Sequence, residues 1–172
     1  MLATIAHFGP DKYLDYWAQL KANGVVVANG WEAAYYTNFS GSSGKGPQPL
    51  VVSYATSPAA EVIFAEKPPA DAPTASVLGP QSCFRQVEFV GILKGTKQRK
   101  LAEQFVDFML SKEFQEDLPL QMFVYPVLDG AALPEAFQKY AQSPAEPAAV
   151  DFAEISKNRD SWIKAWNDLV LK

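Results

Sequence analysis

The chain has 172 residues, 48% hydrophobic and 20% charged, and 15 Lys+Arg against 19 Asp+Glu leave a net charge of −4. That balance excludes a disordered chain, and a pI near 5.0 excludes nucleic acid and anionic membrane as the main partner, since both select basic surfaces. One cysteine, Cys83, allows no internal disulfide, and one histidine, His7, leaves too few soft ligands for zinc, so neither metal nor cofactor is expected.

Leu2-Ala3-Thr4-Ile5-Ala6 follows Met1 at once and reads as the middle of a buried helix. No cap precedes it, and no basic region or cleavage site makes it a signal peptide. The expectation is a chain that starts inside a longer protein; a helix that begins at the terminus is the alternative. Residues 11–23 carry Tyr13, Leu14, Trp17 and Leu20 at helical spacing, between Pro10 and Asn23-Gly24. Val25-Val26-Val27 is β-branched and short, as a buried strand is. Asn29-Gly30 turns the chain into a second helix over residues 31–39.

Residues 41–47, Gly-Ser-Ser-Gly-Lys-Gly-Pro, have the composition of a flexible surface loop. A phosphate-binding loop would need a first glycine where Phe39 stands and a hydroxyl where Gly46 stands, with a helix after it. A strand, residues 50–54, follows instead, so the nucleotide reading fails. Ser57 then reads as an N-cap and Pro58 as a first helical residue, with the helix running through Phe64.

Strand then helix, twice over, indicates an α/β fold with open sheets. Residues 67–82 hold Pro68, Pro69, Pro73 and Pro80 around one short strand at 75–78, and residues 84–93 alternate as a strand does. From Lys97 a helix buries Leu101, Phe105, Phe108 and Met109, and Phe114 continues its pattern past Ser111. Residues 121–127 are extended and 134–140 form a short helix. A last helix places Trp162, Ile163, Trp166, Leu169 and Val170 on one face.

Catalysis finds no footing in this pattern. A nucleophile needs a base beside it, and the single histidine lies in the first helix. Cys83 reads as a buried or intermolecularly bonded residue, and Glu113, Glu116 and Asp117 as a solvated acidic face. The protein is therefore not expected to be an enzyme. Aromatic rings stand where ligands gather, beyond the carboxyl ends of strands in open α/β sheets. Trp31 and Tyr54 occupy such places, and Phe123 and Tyr125 lie in the extended stretch between helices. Rings so placed hold flat or cationic ligands by stacking and cation–π attraction, although core packing explains most aromatics equally well.

These residues carry a family likeness. Gly30-Trp31-Glu32-Ala33-Ala34-Tyr35, Leu50-Val51-Val52-Ser53-Tyr54 with Ser57-Pro58-Ala59, Val124-Tyr125-Pro126-Val127 and Ser161-Trp162-Ile163-Lys164-Ala165-Trp166 resemble, in the same order, the periplasmic thiamine-binding proteins of bacterial ABC transporters. The likeness covers nearly the whole chain but only the carboxyl-terminal half of a family member.

The resemblance implies a type II periplasmic binding-protein fold, two α/β lobes with the ligand clamped between them. Residues 1–92 would then be a second-lobe segment, and residues 93–172 a mostly helical segment crossing back to an absent first lobe. It implies thiamine, or its phosphate esters, as ligand, a membrane-bound ABC permease as partner, and a periplasmic or extracellular-surface location. Trp31 and Tyr54 match two ring positions of the family. Phe123 stands where thiamine binders carry a tryptophan, and Ala60 replaces an expected tyrosine. Ser53 and Ser57 are candidate hydrogen-bonding partners of the ligand. The alternatives are the same fold with another solute (a polyamine, an iron chelate or a pyrimidine), or a truncated interaction module that transports nothing. A half-protein should also present an abnormally apolar face and self-associate.

Overall fold

The computed structural model describes residues 1–43, 45–67 and 69–172; Gly44 of the glycine-serine loop and Pro68 lie outside the described residues. The chain divides into two compact units, each assembled from separated stretches.

The first unit comprises Met1–Ser53, Val77–Arg85 and Ser143–Lys172. Its centre is α2 (Tyr13–Ala22) against α8 (Phe152–Val170), with α1 (Leu2–Phe8) packed on α2. The helical spacing read in residues 11–23 becomes a buried stripe. Tyr13 is almost fully enclosed and donates its hydroxyl to the Trp162 carbonyl at 3.2 Å. Trp17 meets Trp166 edge-on at 5.3 Å and donates its indole N–H to Thr4 Oγ1. Asp151 caps α8 by accepting from the amides of Ala153 and Glu154, which satisfies two amides the helix cannot pair itself. Lys21 Nζ covers the other end, donating to the Leu169 carbonyl at 2.7 Å.

Trp31 opens a short helix that passes into a π-helical turn over Ala33–Asn38, closed by the Phe39 amide on the Ala34 carbonyl. A four-residue α3 (Ser40–Ser43) follows where an irregular loop was expected. Gly46 closes this region: an added Cβ would lie 2.3 Å from the Asn38 carbonyl oxygen, so only glycine fits there.

The second unit comprises Tyr54–Ser76 and Gln86–Gln142. Its core joins α4 (Ser57–Ile63) to α7 (Glu135–Tyr140) through Ala59, Phe137 and Ala141, with Ile63, Phe123, Leu133 and Tyr140 around them. The single helix expected from Lys97 onward is two helices. The α5 helix (Arg99–Met109) stops at Leu110, and Ser111 caps α6 (Lys112–Gln121) by accepting from the Phe114 amide at 3.4 Å. A serine hydroxyl competing for a backbone amide breaks the run that apolar spacing alone would continue. Among the acidic trio on α6, Glu116 takes the Ala132 amide at 2.8 Å and Asp117 the Gln121 side-chain amide. Both do structural service.

The strands are where expectation and structure part. Residues 25–27, 50–54, 75–78 and 84–93 are non-helical, yet the described residues form no sheet. Two isolated parallel bridges, Phe39 with Gln48 and Phe84 with Ala148, are the only ladder-like pairings among them. A strand exists only against a partner. Residues 86–92 make no main-chain hydrogen bond among the described residues, and Phe89 within them is 91% exposed. Large apolar residues stand exposed in both units, Leu50, Val52 and Val77 in the first and Phe89 and Leu93 in the second.

Candidate functional site

The expected site residues fall into two groups, one in each unit. In the first, Gly30 adopts φ +112°, a conformation glycine takes without penalty, and Trp31 starts the helix immediately after it. The Trp31 indole N–H donates to Ser53 Oγ at 2.9 Å, so two expected residues 22 positions apart are joined directly. Behind Trp31, Tyr35 stacks nearly parallel at 4.9 Å and 16°, and is itself 3% exposed. Phe39 tilts against Tyr35 at 5.5 Å. The indole thus rests on a buried aromatic and a hydrogen bond, while residue Trp31 stays 39% exposed.

In the second group, Tyr54 is 62% exposed, and its carbonyl accepts the Ser57 amide at 3.0 Å to start α4. Ser57 is not the N-cap. It is the first helical residue and is buried, while Thr56 holds the cap position without a side-chain hydrogen bond. Pro58 at the next position, with no amide to leave unpaired, suits that first turn.

Phe123 meets Phe64 edge-on at 4.7 Å and leans on the α4–α7 core. Its φ is +56°, a left-handed conformation that disfavours a bulky side chain by about 1–2 kcal/mol. Non-glycine residues held this way concentrate at functional positions. Tyr125, two residues on, donates its hydroxyl to the Ala141 carbonyl, and burial pushes its pKa up.

Sequence spacing singled out Trp31 but passed over Tyr35 and Tyr36. The helical interval of four between Trp31 and Tyr35 was a legible signal for the stack. Nothing in the sequence announced the π turn that brings Tyr36 round. Cys83 is half-buried and a free thiol, with its carbonyl on the Ala148 amide at 2.7 Å. Among the described residues no cluster of three or more His, Cys, Asp or Glu is arranged to hold a metal ion, and no helix is long and apolar enough to cross a membrane.

Residues 4–145 match the model of the bacterial extracellular solute-binding proteins, and the chain belongs to that family. It is similar to the thiamine-binding periplasmic proteins of Salmonella typhimurium (strain LT2), 36% identical over 154 residues, and Escherichia coli (strain K12), 34% identical over 154 residues. In each case the match covers 90% of this chain and 44% of the relative. The thiamine-binding periplasmic protein of Brucella suis biovar 1 is 28% identical over 151 residues, 87% of this chain and 42% of its own. The chain thus spans less than half the length of these relatives. No solved structure matches it.

Proposed function

We propose that this chain is the carboxyl-terminal portion of a type II periplasmic solute-binding protein that captures thiamine for an ABC permease. The observation that carries the reading is the Trp31 indole, fixed from behind by buried Tyr35 and at its N–H by Ser53, in a residue that is still more than a third exposed. A ring held this firmly and left accessible is a preorganised stacking platform, since little rotamer entropy remains to be lost on binding. A thiazolium or aminopyrimidine ring would stack on it, and the positive charge would gain from the aromatic quadrupole. Tyr54 and Phe123 would supply further ring contacts, and Ser53 and Ser57 polar ones. The names of the relatives support thiamine over a polyamine, an iron chelate or a bare pyrimidine; phosphate esters of thiamine share the same rings.

In this reading the ligand stabilises a closed arrangement of two lobes by contacts present only there. Residues 1–92 belong to the second lobe and residues 93–172 cross back toward the first. The uncovered apolar face of α5 supports a partner outside these 172 residues. The protein would work in the periplasm or at the extracellular surface, as a binder and not an enzyme, and the isolated chain would self-associate through its bare apolar segments.

The test is calorimetric titration of thiamine into the complete encoded polypeptide. Sub-micromolar binding that weakens more than about tenfold, roughly 1.4 kcal/mol, in Trp31→Ala supports the proposal. No heat from a folded protein, or unchanged affinity in the variant, overturns the ligand or the platform respectively.

A further inference from the structure

We infer that Tyr36 is a specificity-determining residue of this same site, contacting the cationic part of the bound molecule; the inference rests on the solute-binding reading above. An ordinary α-helix turns once in 3.6 residues, so Tyr36, five positions after Trp31, would point to a different face. The π turn over Ala33–Asn38 accommodates the extra residue and brings positions five apart back toward one face. As a result the Tyr36 ring sits 5.3 Å from Trp31 at 85° and 5.5 Å from Tyr35 at 82°. With the 4.9 Å separation of Trp31 and Tyr35, the three centroids form a nearly equilateral triangle. Tyr36 stands beside the stack, perpendicular to both rings.

Core packing does not explain this placement. Tyr35 is buried, whereas Tyr36 is 56% exposed, so the rarer helical geometry is spent on a ring that gains little from burial. What it creates is a corner of two accessible rings at right angles, Trp31 and Tyr36. A flat cation lying along one wall brings its positive edge toward the other. A neutral flat molecule of the same size gains the stacking but not the charge–quadrupole attraction. Tyr36 therefore sorts cationic from neutral ligands where Trp31 alone would accept both.

The experiment titrates thiamine, and separately thiochrome, its flat neutral oxidation product, into the complete encoded polypeptide and into Tyr36→Phe, Tyr36→Leu and Trp31→Ala. Being more than half exposed, position 36 tolerates both substitutions without loss of the fold. The expected result is thiamine binding kept in Tyr36→Phe and weakened about tenfold in Tyr36→Leu, with thiochrome binding unchanged in both. Thiamine affinity in Tyr36→Leu equal to that of the parent, while Trp31→Ala loses binding, overturns the role of Tyr36 and leaves the site reading intact. Equal losses of thiamine and thiochrome in Tyr36→Leu overturn it too, because Tyr36 then only props Trp31. A folded parent that ignores thiamine overturns both readings together.

Discussion

Two helices of this chain, α8 and α5, carry equally plain apolar stripes and meet opposite fates. The α8 helix lays Trp162, Trp166 and Val170 on its inner side, and α2 lies against it, with Trp17 on Trp166 and Tyr13 on the Trp162 carbonyl. The α5 helix lines up Leu101, Phe105 and Phe108, and none of its residues is buried. Between α5 and residues 90–96 runs a shallow groove lined by Val90, Ile92, Leu93, Ala102, Phe105 and Val106. An amphipathic pattern states that a face is to be covered; it does not state by what. For α8 the cover lies within these residues. In α5 and residues 86–92, by contrast, Leu101, Phe105, Phe108 and Phe89 stay exposed, although Phe108 meets Phe114 of α6 edge-on at 5.4 Å.

The largest expected effect lies where the unit closes on itself. Phe137 is fully buried between α4 and α7, so Phe137→Ala should destabilise its unit by about 3–5 kcal/mol, read as a shift of the urea unfolding midpoint. The same truncation on the bare helix, Phe105→Ala, should cost under about 1 kcal/mol in the 172-residue chain, because surface positions contribute little. Under the proposal of a longer, two-lobed polypeptide whose other lobe covers α5, the cost there should rise to about 3 kcal/mol. Equal costs in both contexts would dissolve the contrast between the two helices.

A smaller effect tests the closed side. The Trp166 indole N–H is buried and has no hydrogen-bond partner among the described residues, and an unpaired buried donor costs about 1–3 kcal/mol. Trp166→Phe removes that donor while keeping a ring against Trp17. The expected midpoint lies within about 1 kcal/mol of the parent, since the desolvation gain offsets the lost area; a loss of about 3 kcal/mol would show that the N–H has found a partner.

The smallest concerns the end of α8, where Lys164 and Lys172 each reach Asp168 at 2.6 Å. Their hydrogen bonds lower its carboxyl pKa from the ordinary 3.8 to about 2. A lowered folded-state value means the contribution is present above pH about 4 and is lost as pH falls toward 2. The Asp168 side chain is 39% exposed and its pairs are screened by water, so the change in helical ellipticity between those values should be slight, and smaller still in Asp168→Asn.

Much of the helical framework was legible in the residues. The intervals Tyr13–Trp17 and Trp162–Trp166 place rings on one face, and Ser57-Pro58 marks the start of α4. Two boundaries were missed for local reasons. The hydroxyl of Ser111 captures the Phe114 amide and splits one run into α5 and α6, and Ser57 enters the helix it was expected to cap. The strands at 50–54 and 84–93 were named from β-branched and alternating residues, but pairing is a property of two segments and cannot be read from one. At the site, Trp31, Ser53 and the turn at Gly30 were all identified, yet a hydrogen bond between side chains 22 positions apart is not something spacing reveals. The π turn beside them leaves no mark in composition.

The proposal of a two-lobed binding protein makes residues 86–92, which find no main-chain partner among the described residues, a strand paired by a segment of a longer polypeptide. Hydrogen exchange measures it directly, because an amide without an acceptor exchanges fast and one in a ladder is protected. The proposal predicts rapid exchange at residues 86–92 in monomeric 172-residue chain and strong protection of the same amides in a longer polypeptide that supplies the other lobe. Equally rapid exchange in both would contradict the account.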